Sequence, residues 1–341
     1  MGKKDYLGII WLAVILAVIP LIIRNDYYLG ILVFAAVNAL SCIGLSLLMG
    51  YAGQISLGHA AFLGIGAYSS AWCTVNLGWS PWIALVAGIV LAVTLALVIG
   101  IPSLRLKGHY LAMATLGFGS IVHIVLVAAV DITGGPAGIS RIPGLTFLGA
   151  PVDSDLKFYI FIWAFVVIGM VIALNIIHSR SGRALRAIHG SEDAAGASGI
   201  DTSVYKVRIF VISAIYSSVA GSFYAHYVNY IDPGPFGIMH SVLLVTMVAV
   251  GGMHKVWGAL VGAVLLSILP ELLSTVSELV EGYGFFYKPD YDTLIYGAIL
   301  LIIMLFLPEG LFSGVGDALT RLKQAISGNT TLKPDKAGDI R

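Results

Sequence analysis

The chain has 341 residues, 58% of them hydrophobic and 11% charged, with a net charge of +1 and a mean hydropathy of +0.94. A water-soluble domain carries about 25% charged residues, so this supply cannot cover a water-facing surface of that size, and lipid is the solvent for most of the chain. The near-neutral balance excludes a strongly basic face for nucleic acid.

In chain order, the apolar text falls into ten blocks, most of them near the roughly 20 residues that span a hydrocarbon core. Lys3-Lys4 and the run Leu7–Ile23 have the outline of a signal peptide without a clear small-residue cleavage site, which reads as a first membrane helix. Then come Tyr27–Met49, Ile55–Leu77, Pro81–Ile101, Tyr110–Val130 and Phe158–Ile177. Ile209–Val228, Phe236–Val250, Val256–Leu273 and Asp292–Leu307 complete the series. None alternates polar and apolar with period two, so helices rather than barrel strands are required. The expectation is an all-α polytopic transmembrane bundle of about ten spans.

Orientation follows from the basic residues. With the N-terminus in the cytoplasm, the inner segments hold Lys3, Lys4, Arg105, Lys107, Arg180, Arg183, Arg186, Lys206, Arg208, Lys255, Arg321, Lys323, Lys333, Lys336 and Arg341. Only Arg24, Arg141, Lys157 and Lys288 fall outside, so 15 of 19 lie on one side. That is the positive-inside bias, and it places both termini in the cytoplasm. Outside, Asp131 to Asp155 is a loop rich in Gly and Pro, which suits tight turns rather than another span. A second outer segment, Glu271 to Asp290, carries Glu271, Glu278 and Glu281 on a predicted helix, either a docking face or a solvated one.

Enzyme signatures are missing: there is no His-Glu-x-x-His, no Gly-x-Ser-x-Gly and no nucleotide loop ending in Gly-Lys-Ser or Gly-Lys-Thr. No cofactor or metal site is expected, and Cys42 and Cys73 sit in apolar blocks as packing residues. The midspan regions are almost free of Asp, Glu, Lys and Arg. Ion-coupled carriers usually keep such groups as relays or ion ligands, so energy for uphill transport would enter from elsewhere.

One segment interrupts the apolar text. Gly50-Tyr51-Ala52-Gly53-Gln54-Ile55-Ser56-Leu57-Gly58-His59 opens the third span with glycines and polar side chains. Such a break is tolerated only where protein or a water-filled cavity satisfies the backbone. It reads either as a broken element beside a translocation path, with Gln54, Ser56 and His59 as candidates, or as close packing on small residues. Small residues also recur at fourfold spacing, Ser213, Ser217, Gly221 and Ala225, then Gly258 and Gly262, the pattern of closely approaching helices. Asn38, His123, Asn175 and His226 are membrane-embedded polar residues that bond a neighbouring helix or face a path; His226 lies near the outer mouth with Asn229, Tyr230 and Asp232.

The cytoplasmic loop 179–206 is the most informative stretch. Arg183 to His189 predicts a short helix ended by Gly190. Ser191 can cap a second, with Glu192 and Asp193 in its first turn, and Gly199 suits a left-handed stop. The loop is either a docking knob or an interfacial segment whose arginines meet lipid headgroups.

These motifs resemble a family. Met49-Gly50-Tyr51-Ala52-Gly53-Gln54-Ile55-Ser56-Leu57-Gly58-His59-Ala60-Ala61-Phe62, Leu104-Arg105-Leu106-Lys107-Gly108-His109-Tyr110 and Ala114-Thr115-Leu116-Gly117-Phe118 are similar to LivM-type permeases of ATP-binding-cassette importers for branched-chain amino acids. So are Thr133-Gly134-Gly135-Pro136-Ala137-Gly138, the loop from Gly182 to Ile200, and Pro308-Glu309-Gly310-Leu311-Phe312. The resemblance implies a multi-pass subunit of a bacterial inner membrane, with permease domain 1–312 and a partly disordered cytoplasmic tail 313–341. Its partners would be a second homologous permease, two cytoplasmic ATP-binding subunits and an extracytoplasmic solute-binding protein; ATP hydrolysis would reside in those partners. The loop would couple to an ATPase through Arg183, Ala184, Arg186, Ala187, Glu192, Asp193, Ala194, Ala195 and Gly199. Path candidates are Gln54, Ser56, His59, Thr115, His123 and His226. Leucine, isoleucine and valine are the implied solutes, with urea or short amides as the alternative and an ion-coupled carrier as the less favoured rival.

Overall fold

The computed structural model describes residues 3–23, 25–103, 108–147, 150–282, 290–307 and 310–312. The chain order is α1 (Lys3–Ile22), α2 (Asp26–Ser46, continued by a π turn at Leu47–Tyr51), α3 (His59–Asn76), α4 (Pro81–Ser103), α5 (His109–Ala128) and α6 (Val130–Thr133). There follow α7 (Asp155–His178), α8 (Arg180–Gly190), α9 (Glu192–Ala197), α10 (Thr202–Val228), α11 (Ile238–Gly251), α12 (Val256–Gly282) and α13 (Asp290–Phe306). Seven of these, α1, α2, α4, α5, α7, α10 and α12, are long and apolar enough to cross a membrane. The fold is an all-α polytopic bundle.

Polar residues placed at the ends start the long helices. Asn25 Oδ1 accepts from Tyr27 N at 3.0 Å ahead of α2, and Ser154 Oγ accepts from Lys157 N at 3.3 Å ahead of α7. Asp201 Oδ1 caps α10 through Val204 N at 3.1 Å. Each satisfies an N–H that the helix itself cannot.

Helices α2, α3 and α10 form the centre, with α4 and α5 against α3, α7 and α12 against α2, and α1 on the outside against α7. Apolarity cannot tell inside from outside in lipid, and size does so instead. On α4 the buried residues beyond Pro81 are small and fourfold spaced, Ala84, Gly88, Ala92, Ala96 and Gly100, while Ile83, Val90 and Val98 point outward. The contact of α3 with α10 goes furthest. A Cβ on Gly66 would overlap the Ser218 carbonyl, and one on Gly221 would overlap that of Leu63. On α12, Gly258 and Gly262 press against Gly251 of α11 in the same way.

The loop after α5 is ordered by short elements. Ile139–Ser140 pairs antiparallel with Tyr230–Ile231, and Thr146–Phe147 with Ala150–Pro151. The loop is thereby clipped to the segment that follows α10. The helix predicted to carry Glu271 is continuous with the ninth span, since α12 runs unbroken to Gly282, and Glu271 accepts from Tyr27 O–H at 2.8 Å. The side chains of Glu278 and Glu281 lie outside the described residues, as do Arg24, Arg105, Lys107, Lys288, Glu309 and the tail 313–341.

Candidate functional site

The break ahead of α3 is real and is built from its glycines upward. Gly50 sits where a Cβ would overlap the Met253 carbonyl, so α2 ends pressed against the turn between α11 and α12. Gly53 adopts φ +66°, and its N–H bonds Met49 O at 3.2 Å, a left-handed termination that favours glycine. Residues 53–58 are non-helical until α3 begins at His59.

In a membrane interior every freed backbone group needs a partner, and here neighbouring helices supply several. Thr115 Oγ1 of α5 accepts from Leu57 N at 3.0 Å, and Ser241 Oγ of α11 accepts from Ala60 N at 3.0 Å. Gly58 leaves room for the Thr115 carbonyl. His59 is fully buried with both ring nitrogens engaged, Nδ1 with Ser56 Oγ at 3.0 Å and Nε2 with Ser213 Oγ of α10 through a short bond. Gln54 Nε2 donates to Ala52 O at 3.2 Å, while its Oε1 is buried with no partner among the described residues.

Four of the six path candidates, Gln54, Ser56, His59 and Thr115, therefore meet at one place, and three of them hold the break together. His123 and His226 lie elsewhere. His226 Nδ1 bonds the Pro143 carbonyl at 2.7 Å, so Nδ1 carries the proton. Its Nε2 then accepts from Ser70 Oγ at 2.9 Å, and Ser222 Oγ donates to Ser70 at 2.9 Å. His226 borders a cavity of about 670 Å³ with Asp153, Asp155, Tyr227 and Asn229. His123 on α5 stands against Gly237 at the start of α11, its Nδ1 buried without a partner among the described residues. Of the other embedded polar residues, Asn38 donates to Ser267 of α12 at 3.0 Å, whereas Asn175 is exposed. Sequence reading took Ser213 for packing and did not single out Ser241 or Ser70; an isolated serine on an apolar helix carries no signal of its partner.

The loop 179–206 forms α8 and α9. Ser191 Oγ accepts from Ala194 N at 3.3 Å, and Gly199 closes the pair at φ +82°. The predicted coupling residues divide by exposure. Arg183, Arg186, Ala187, Asp193, Ala194 and Gly199 face outward, whereas Ala184 and Ala195 are buried with Leu185 and Ile188, which fasten the loop to the bundle. Glu192 is partly buried and pairs with Lys206 Nζ at 2.5 Å. His189 stands against Gly53, its ring centroid 5.6 Å from that of His254. Burial, and then His254, hold its pKa below the ordinary histidine value. The loop therefore touches the floor of the break.

Among the described residues no three His, Cys, Asp or Glu side chains gather as metal ligands. Compared with known proteins, residues 27–304 match the family described as branched-chain amino acid transport system / permease component. The high-affinity branched-chain amino acid transport system permease protein LivM of Escherichia coli K12 is 30% identical over 292 residues, 79% of this chain and 66% of that protein. A probable LivM permease of Methanocaldococcus jannaschii is 26% identical over 237 residues, 67% of this chain and 68% of the relative. The permease LivH of Escherichia coli K12 is 26% identical over 292 residues, 80% of this chain and 90% of the relative. The chain thus spans just under two thirds of the E. coli LivM length, and no solved structure matches it.

Proposed function

The chain belongs to the branched-chain amino acid transport system permease family, and from that premise we propose that it is the membrane subunit of an ATP-driven importer of leucine, isoleucine and valine. The carrying observation is the family match across residues 27–304, which takes in the break, the central helices and the cytoplasmic loop together. Similarity to both LivM and LivH supports a pairing with a second, related permease. Two ATP-binding subunits on the cytoplasmic side and a solute-binding protein on the other complete the assembly.

The outward face of α8 and α9, with Arg183, Arg186, Ala187, Asp193, Ala194 and Gly199, seats on an ATPase subunit. Closure of the ATPase pair shifts the loop, and rigid-body movement of the helices opens the path to one side and then the other. Few charges along apolar walls suit a zwitterion with an aliphatic side chain. The chain lies in an inner membrane with ten crossings, α3, α11 and α13 joining the seven long helices. Both termini and the tail 313–341 are cytoplasmic, and residues 1–312 form the permease domain.

The test is uptake of labelled leucine and labelled urea by cells lacking only this subunit. Leucine uptake should vanish and return with the gene. Loss of urea uptake with leucine intact would replace the amino-acid reading by an amide one.

A further inference from the structure

Lys206 is the one lysine among the fully buried side chains of the described residues, 1% exposed near the start of α10. Its ammonium meets Glu192 Oε1 at 2.5 Å, and Thr202 Oγ1 donates to the same oxygen at 3.4 Å. Glu192 opens α9. Two positions one turn apart at the start of α10, Thr202 and Lys206, therefore hold α9 through a single carboxylate. Seven residues beyond Lys206, two helical turns and about 10 Å along the axis, the same face of α10 carries Ser213. Ser213 bonds His59 at the start of α3. Two polar contacts thus join the α8–α9 loop to the break through one unbroken helix.

A buried ion pair is a poor stabiliser, since apolar residues of equal volume often serve as well, but removing one partner is strongly destabilising. What such a pair does well is fix geometry. We propose that Lys206 is a positioning residue that locks α9 to α10, so that displacement of the coupling loop is carried as one rigid body to Ser213, His59 and the break. This rests on the reading of the loop as the part driven by ATPase partners. Glu192 then acts within the chain as the anchor of the knob, not as a contact for the ATPase.

The test uses spin labels at Ala197→Cys and Val204→Cys, both exposed positions outside the set assigned to the ATPase face, with Cys42 and Cys73 replaced by Ala. In the otherwise native chain the label separation should be single and narrow, alone and in the full assembly with or without ATP. Lys206→Met leaves Glu192 able to reach water, should fold, and should broaden that separation. Glu192→Gln strands the buried ammonium and should lower yield more. In the reconstituted assembly, Lys206→Met should keep hydrolysing ATP while solute moved per ATP falls about tenfold, within the usual range of coupling effects. The double reversal Lys206→Glu with Glu192→Lys should recover part of that loss. A native separation that shifts with ATP, or an undiminished solute-to-ATP ratio in Lys206→Met, would overturn the proposal. Should the native assembly hydrolyse ATP without moving leucine, the amino-acid reading falls, and the label separations still decide the role of Lys206.

Discussion

The α8–α9 loop and the break ahead of α3 are both short interruptions of apolar text, yet they are built in opposite ways. In the loop the bonds that shape the chain are local: Ser191 caps a helix three residues on, and Gly199 turns the chain beside it. In the break the partners come from far away, Thr115 58 positions from Leu57, Ser213 154 from His59 and Ser241 181 from Ala60. Water can stand in for a lost partner in the loop and cannot in the break. The loop keeps a spare face outward, whereas the break holds Leu57 N, Ala60 N and the His59 ring through partners on other helices.

The contrast is sharpest in the glycines, where the largest effect is expected. Gly58→Val in the break drives a Cβ into the Thr115 carbonyl, which is backbone and cannot move aside. The cost should reach at least about 3 kcal/mol, the upper part of the overpacking range, seen as loss of folded protein from the membrane. Gly196→Ala in the loop meets nothing and lies within α9. It should leave stability unchanged or raise it by about 0.5–1 kcal/mol through helix propensity. Similar melting temperatures for the two variants would remove the distinction.

Next in size is His59→Ala. It leaves Ser56 and Ser213 hydroxyls without a partner and opens a hole in a fully buried site. Unsatisfied groups and cavities of this kind together cost about 2–5 kcal/mol. Ser191→Ala removes one cap from an exposed helix and should cost about 1 kcal/mol, read as thermal melting of the purified chain in detergent. If Ser191→Ala proved the more damaging of the two, the loop and not the break would be the stiff element.

The same contrast explains what was legible in the sequence. Membrane helices could be read from block length because bilayer thickness sets it, and α8 and α9 from caps a few residues apart. The gap before α3 was visible in Gly53 and Gly58, but its meaning was not, since nothing near His59 names Ser213. Lys206 read as one more inner-side positive charge, and only the fold reveals it as buried beneath α9. The helix over Glu271 was legible in the sequence, but its continuity with the ninth span to Gly282 and the bond from Tyr27 came only with the fold. Thr115 stood among the path candidates, and its bond from the N–H of Leu57 came only with the fold.

The smallest expected effect lies where the two regions touch. His189 of α8 stands against Gly53 and edge-on to His254, and its pKa is lowered first by burial and then by the neighbouring imidazole. A lowered histidine pKa means that the folded contact prefers the neutral ring. The contact is therefore strongest above the ordinary value of about 6.5 and weakens as pH falls from there through the lowered folded pKa. Because His189 is only partly covered by these contacts and otherwise open to water, the change should stay small and local. Titration of His189 by nuclear magnetic resonance should give a midpoint below the ordinary value. His254→Gln should raise that midpoint only part of the way back, since burial, the larger cause, remains. A midpoint at or above the ordinary value would mean that α8 stands clear of the break in solution, and the two regions would then be neighbours in sequence logic but not in mechanics.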